Sequence, residues 1–135
     1  MFFEYALTIP ANTLEAAPEE LTAALAPGTV ASVGVDFAPG CRGLVHVSMW
    51  RSDHQVWPVN LDGDIAADGK VVEWPEDYDL NDEPYDLTLK GWSPNTSFAH
   101  TIIFRFALLP LERKAAAEAI PGLLRRLAEA IFGGS

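Results

Sequence analysis

What this chain lacks narrows the field first. There is one cysteine, Cys41, so no intramolecular disulfide can form and a cysteine-based zinc site is excluded. Basic residues are scarce, nine Lys and Arg against nineteen Asp and Glu, for a net charge of −10. The imbalance peaks between Asp53 and Asp86, where eleven carboxylates face Lys70 alone. Such a field repels a phosphate backbone, which is held by clustered cations, so nucleic-acid binding is not expected. No apolar run reaches the roughly 20 residues that span a bilayer, so no transmembrane segment is expected. The opening MFFEYALTIP has no basic stretch and no small-residue cleavage site, so no signal peptide is expected and synthesis is assigned to the cytoplasm. Apart from Gly133-Gly134 in the tail, the glycines stand singly, which leaves no Gly-rich loop to cradle phosphate.

What is present is a succession of short alternating segments. With 49% apolar residues in 135, the chain can bury one core. Phe2 to Ile9 is rich in aromatic and β-branched residues and ends at Pro10, which suits an edge strand. Thr29 to Phe37 puts Val33, Val35 and Phe37 on one face before the turn Ala38-Pro39-Gly40. Gly43 to Arg51 alternates Val45, Val47 and Met49 against Leu44, His46, Ser48 and Trp50. His54 to Pro58 follows a turn, and Ile65 to Ala67 and Lys70 to Trp74 flank Asp68-Gly69, a hairpin signal. Tyr85 to Trp92 and Phe98 to Leu109 alternate again. Glu19 to Leu25 reads as a short helical pattern or an irregular crossing, and Glu76 to Glu83 as a polar loop. Seven or eight strands divided by Pro, Gly, Asn and Asp predict an all-β, antiparallel, jelly-roll-like β-sandwich over residues 1–110.

After Pro110 the composition turns to Ala, Glu, Arg and Leu. Ile120, Leu123, Leu124, Leu127 and Ile131 recur at helical spacing, which predicts a C-terminal amphipathic α-helix over 111–132, interrupted at Pro121-Gly122, and a flexible tail over 133–135. That apolar stripe must be covered by the chain's own sandwich or by another subunit, which makes these five residues a candidate interface and a homo-oligomer an expected partner.

Each candidate chemistry meets a plainer reading. Asp77, Asp79, Asn81 and Asp82 alternate as oxygen ligands do at the start of a calcium loop, but Asp82 stands where an EF-hand needs Gly and Thr88 where it needs Glu. A Ca2+ site of another kind could add Asp62, Asp64 and Asp68; otherwise this is a solvated acidic loop and no cofactor is expected. His46, His54 and His100 fall on different segments and make no HExxH pair. Ser48, His46 and Asp53 lack the strained turn and oxyanion-hole glycines of a hydrolase, so no catalytic residue is assigned. Tyr78 and Trp92 are the aromatics expected to be exposed, where a carbohydrate ring could stack; packing in the core is the commoner fate of such residues.

The run FAPGCRGLVHVSMWRSDHQVWP from Phe37 to Pro58, followed by NLDGDIAADG, EPYDLTLKGW and HTIIFRFALLP, resembles a group of small β-sandwich proteins found in phage and environmental sequences. The likeness covers residues 5 to 110. It implies a sandwich fold and a viral or mobile-element setting, and no activity. The expectation is therefore a non-enzymatic structural or assembly protein, plausible as a virion component; the alternative is a carbohydrate- or calcium-binding β-sandwich module.

Overall fold

The computed structural model describes residues 1–110. The expected C-terminal helix, the flexible tail and the interface residues Ile120, Leu123, Leu124, Leu127 and Ile131 lie outside the described residues. Eight strands run in order: β1 (Phe2–Ile9), β2 (Glu19–Ala24), β3 (Gly28–Phe37), β4 (His46–Arg51), β5 (His54–Trp57), β6 (Lys70–Leu80), β7 (Asp86–Trp92) and β8 (His100–Leu109). They form two four-stranded antiparallel sheets, β1-β8-β3-β6 and β2-β7-β4-β5. The described residues contain no helix.

Alternation decides what each sheet buries. Leu7 and Ile9 of β1, Val33, Val35 and Phe37 of β3, and Ile102, Phe104 and Phe106 of β8 are buried from one sheet. Val47 and Met49 of β4 and Leu87 and Leu89 of β7 are buried from the other. All belong to one hydrophobic cluster, as two inner faces must when they share a core about 10 Å thick. The spacing from Val30 to Val33 would break a strict period of two. A bulge between Val30 and Ser32 shifts the register against both β6 and β8, so both valines are fully buried. Gly91 sits opposite Val47 on β7, and a Cβ there would run into the end of the Ile9 side chain. The missing side chain lets the two sheets close.

An aromatic group joins the sheets on the β5–β6 side. Trp57 meets Tyr78 edge-on at 5.3 Å and Trp74 at 6.4 Å between ring centroids. The indole N–H groups of Trp57 and Trp74 both donate to Glu76 Oε1, at 2.8 and 3.1 Å. One carboxylate oxygen thus serves two half-buried or buried donors that would otherwise be costly to bury.

Three expectations are corrected. Glu19–Ala24 is a strand, paired along β7 with Leu21 opposite Leu89 and Ala23 opposite Leu87; burying those side chains outweighs the helical preference of EELTAA. Residues 76–80 are the second half of β6, paired with β3 through Tyr78 opposite Val30, rather than loop. Asp68-Gly69 does not close a hairpin: Ile65 bridges Val47 in one sheet, while β6 pairs with β3 in the other. The Asp-Gly pair turns the chain between sheets.

The register also gives the sandwich two distinct ends. Ile9 lies opposite His100 and Phe37 opposite both Ile102 and Lys70; Glu19 lies opposite Gly91 and His46 opposite Trp92. The connections β1–β2, β3–β4, β5–β6 and β7–β8 therefore gather at one end. The connections β2–β3, β4–β5 and β6–β7 gather at the other.

Candidate functional site

The four loops of the first end carry most of the exposed large apolar side chains among the described residues: Leu14, Leu44, Val59, Leu61 and Phe98. Val59, Leu61 and Phe98 are 82%, 73% and 75% exposed, so these side chains contribute nothing to the core. Met1 and Phe2, also exposed, lie at the opposite end. Between the β3–β4 and β7–β8 loops lies a cavity of about 370 Å³ lined by Arg42, Leu44, Phe98 and His100 among others.

These loops are tied down. Gln55 Nε2 donates to Pro58 O at 2.7 Å and also reaches the carbonyls of Asn60 and Gly63, at 3.2 and 3.4 Å, which clamps the turn that carries Val59 and Leu61. Ser93 N donates to Thr13 O at 2.9 Å and Ser93 Oγ to Pro10 O at 3.1 Å, joining the β1–β2 and β7–β8 loops. Gly40 N donates to the Asp68 carboxylate at 2.9 Å and Gly69 N to Ala38 O at 3.3 Å, joining the β3–β4 and β5–β6 loops. Backbone hydrogen bonds from Arg42, Gly40 and Cys41, with the Arg42 charge nearby, hold the Asp68 carboxyl below the usual carboxylate range. Asn12, Arg42 and Asp62, non-glycine residues with φ of 57°, 53° and 64°, all lie in these loops. Left-handed backbone at such positions costs energy and persists where the surroundings enforce it. The apolar side chains are thus presented on a stiff platform.

The candidate chemistry from the sequence is dispersed. Asp77 and Asp79 belong to β6, and Asn81 and Asp82 follow it, so the segment is extended instead of wrapped as a calcium loop. Among the described residues no group of three or more His, Cys, Asp or Glu is placed to hold a metal ion. Tyr78 is half-buried against Trp57, with the Arg51 guanidinium 6.0 Å from its ring centre. Trp92 is buried, 8% exposed, and stacked on His46 at 6.0 Å. His46 Nδ1 lies 2.8 Å from Asp64 and Ser48 Oγ accepts the Trp50 indole N–H at 2.9 Å. Asp53 is in the turn at the far end of β4, so Ser48, His46 and Asp53 do not converge. Cys41 is fully buried with Sγ 3.9 Å from His100 Nδ1; burial first, and the Asp68 charge second, push its thiol pKa up, which disfavours the thiolate.

Fold and geometry define the class: an all-β, two-sheet antiparallel sandwich with hydrogen-bonded loops at one end that expose several large apolar side chains. No family model matches the chain, and no curated protein matches it. Among solved structures, one neighbour comes from work described as "Bacillus endospore appendages form a novel family of disulfide-linked pili". It is 11% identical, with 81% of this chain and 88% of that chain covered and a TM-score of 0.30. A likeness that slight carries no argument about fold or assembly.

Proposed function

We propose that this chain is a non-catalytic building block that associates with copies of itself through the loop end of its sandwich. The observation that carries the reading is the concentration of Leu14, Leu44, Val59, Leu61 and Phe98 on four cross-tied loops. An apolar patch on a rigid support binds without the cost of ordering loops, and large exposed patches mark interaction sites. The net charge of −10 opposes indiscriminate association, which leaves burial at a specific patch as the driving force. The strand order β1-β8-β3-β6 and β2-β7-β4-β5 supports a jelly-roll arrangement, in which every connection but the β4–β5 hairpin crosses between the sheets. The virion setting rests on the sequence resemblance over residues 5 to 110.

Sedimentation equilibrium over a hundredfold range of concentration tests the reading. The wild-type chain should populate an oligomer that persists in high salt, as burial-driven contacts do and surface ion pairs do not. A strictly monomeric protein across the range would overturn it.

A further inference from the structure

The outer face of the β1-β8-β3-β6 sheet holds apolar residues that are buried away from the core. Alternation turns Thr101, Ile103, Arg105, Ala107 and Leu109 of β8 outward, because Ile102, Phe104, Phe106 and Leu108 between them belong to the core cluster. Along this row exposure falls steadily: Thr101 is exposed, Ile103 and Arg105 are half-buried, and Ala107 and Leu109 are 0% and 7% exposed. On β3, Thr29 precedes the inward Val30, and the bulge leaves Ala31 and Ser32 together between the inward Val30 and Val33. All three are buried. Ala31, Ala107 and Leu109 are therefore covered without belonging to the core cluster. Every described strand already belongs to one of the two sheets, so no strand forms a third layer over this half of the face. We propose that residues 111–132 of the same chain dock here, with the apolar stripe of Ile120, Leu123, Leu124, Leu127 and Ile131 turned onto the sheet.

Position, shape and charge choose this occupant. The segment begins at the residue after Pro110, next to Leu109, so burial of the outward row deepens toward the point where the segment leaves the sheet. The middle of the face is low: Phe2, Ala107, Ser32 and Pro75 are neighbours across the four strands, and Gly34 lies between Arg105 and Glu73 in the next row. Four strands span roughly 14 Å, which accommodates the 10–12 Å or so of a helix with its side chains. Small residues in the middle let an apolar stripe approach closely, and covering that stripe removes a patch that water would otherwise meet. Carboxylates surround the low ground. β6 carries Glu73, Asp77 and Asp79 on this side, while Arg105 Nη2 lies 3.4 Å from Asp36 and 4.0 Å from Glu4. The segment brings Arg113, Lys114, Arg125 and Arg126, a large share of the chain's nine Lys and Arg, and so complements the acidic rim. A directly tethered segment has an effective concentration on the order of millimolar, so each chain fills its own face before a neighbour's segment can.

The test uses the full chain with isotope-labelled Ala, Ile and Leu methyl groups. Nuclear Overhauser contacts should join the methyls of Ala31 and Ala107 to those of Leu123, Leu124 or Leu127. In a mixture of labelled and unlabelled chains, filtered for contacts between molecules, the same methyls should show none. Leu123→Asp with Leu127→Asp leaves every described residue unchanged; it should abolish the contacts and raise severalfold the relaxation of the Ala107 methyl by a soluble paramagnetic agent, with the amides of β3 and β8 still protected. Ala107→Arg should quicken amide exchange severalfold across residues 120–131. Leu61→Ser, at the loop end, should leave the contacts as they are. Absence of the contacts in the wild type, contacts only between molecules, or contacts that survive the double substitution would each overturn the proposal. None of these outcomes measures association through the loop end, which sedimentation reads independently.

Discussion

The two ends of this sandwich are built from the same kind of connection, and both carry exposed carboxylates, Glu15, Asp62, Asp64 and Asp68 at one and Asp53, Asp82 and Glu83 at the other. They differ in the apolar side chains their loops expose. At one end the loops expose Val59, Leu61 and Phe98. At the other, the turn at Ser52-Asp53 and the segment from Asn81 to Glu83 expose polar and acidic groups, and Arg51 reaches across to donate from Nε to Pro84 O at 3.1 Å and from Nη2 to Asp82 O. Fold stability accounts for the acidic end, whose contacts hold the chain's own loops. It gives no reason for bulky side chains three-quarters exposed on loops already fixed by backbone and side-chain hydrogen bonds. The difference teaches that rigidity and apolarity can be combined at a surface for a purpose outside the monomer.

The sharpest way to break this comparison is to make the apolar end polar. Val59→Ser, Leu61→Ser and Phe98→Ser together should weaken self-association more than about 100-fold, since each apolar side chain fully buried at a contact is worth about 1.5–3 kcal/mol. The monomer's denaturant midpoint should hardly move. A triple variant that associates normally, or unfolds much earlier, would erase the distinction between the ends.

Effects on the fold itself should come from elsewhere. Glu76→Ala strands the indole N–H groups of Trp57 and Trp74 and should cost about 1–3 kcal/mol in urea unfolding, with association of the folded fraction intact. Gly91→Ala forces a methyl group against Ile9 and should cost about 1–3 kcal/mol by overpacking; an unchanged unfolding midpoint would show that the sheets are less closely set than described. At the acidic end, Arg51→Ala should cost no more than about 1 kcal/mol, the scale of exposed contacts, with no effect on association.

The smallest effect is one of pH. The Asp68 carboxyl is held below its ordinary value of 3.8 by backbone donors, so its folded state binds a proton less readily than the unfolded chain. The stabilisation it contributes is present above 3.8 and is lost as pH falls below that value through the folded pKa. The protection factor of the Gly40 amide, its exchange rate relative to an unstructured peptide at the same pH, should fall in that acid window in the wild type, while in Asp68→Asn it should already be lower at neutral pH. Equal rates in the two proteins at neutral pH would remove the carboxylate from the loop tie.

Much of the sheet structure could be read directly. β4, β7 and β8 alternate along their length, and β3 does so from Val33 onward, past its bulge, so the period of two reports their inner faces. β2 escaped because EELTAA has good helix formers, and only pairing along β7 makes it a strand. The acidic half of β6 escaped because an edge strand that turns Asp77 and Asp79 outward has the composition of a loop, which is how edges commonly resist pairing with other chains. Trp92 looked exposed beside a turn, yet its ring stacks on His46 from the neighbouring strand, a relation no local pattern contains. The loop end was illegible for a similar reason: Leu14, Leu44, Val59, Leu61 and Phe98 are spread over 85 residues of sequence, and the alternation of strands between sheets is what gathers them. Glu76 joins two tryptophans from different strands.

Hydrogen exchange at low and high protein concentration would decide most directly between the ends. Association through the apolar end predicts that residues 58–64 and 94–99 gain protection as concentration rises while residues 52–53 and 81–85 exchange as before. Protection gained at the acidic loops instead, or at neither end, would contradict it.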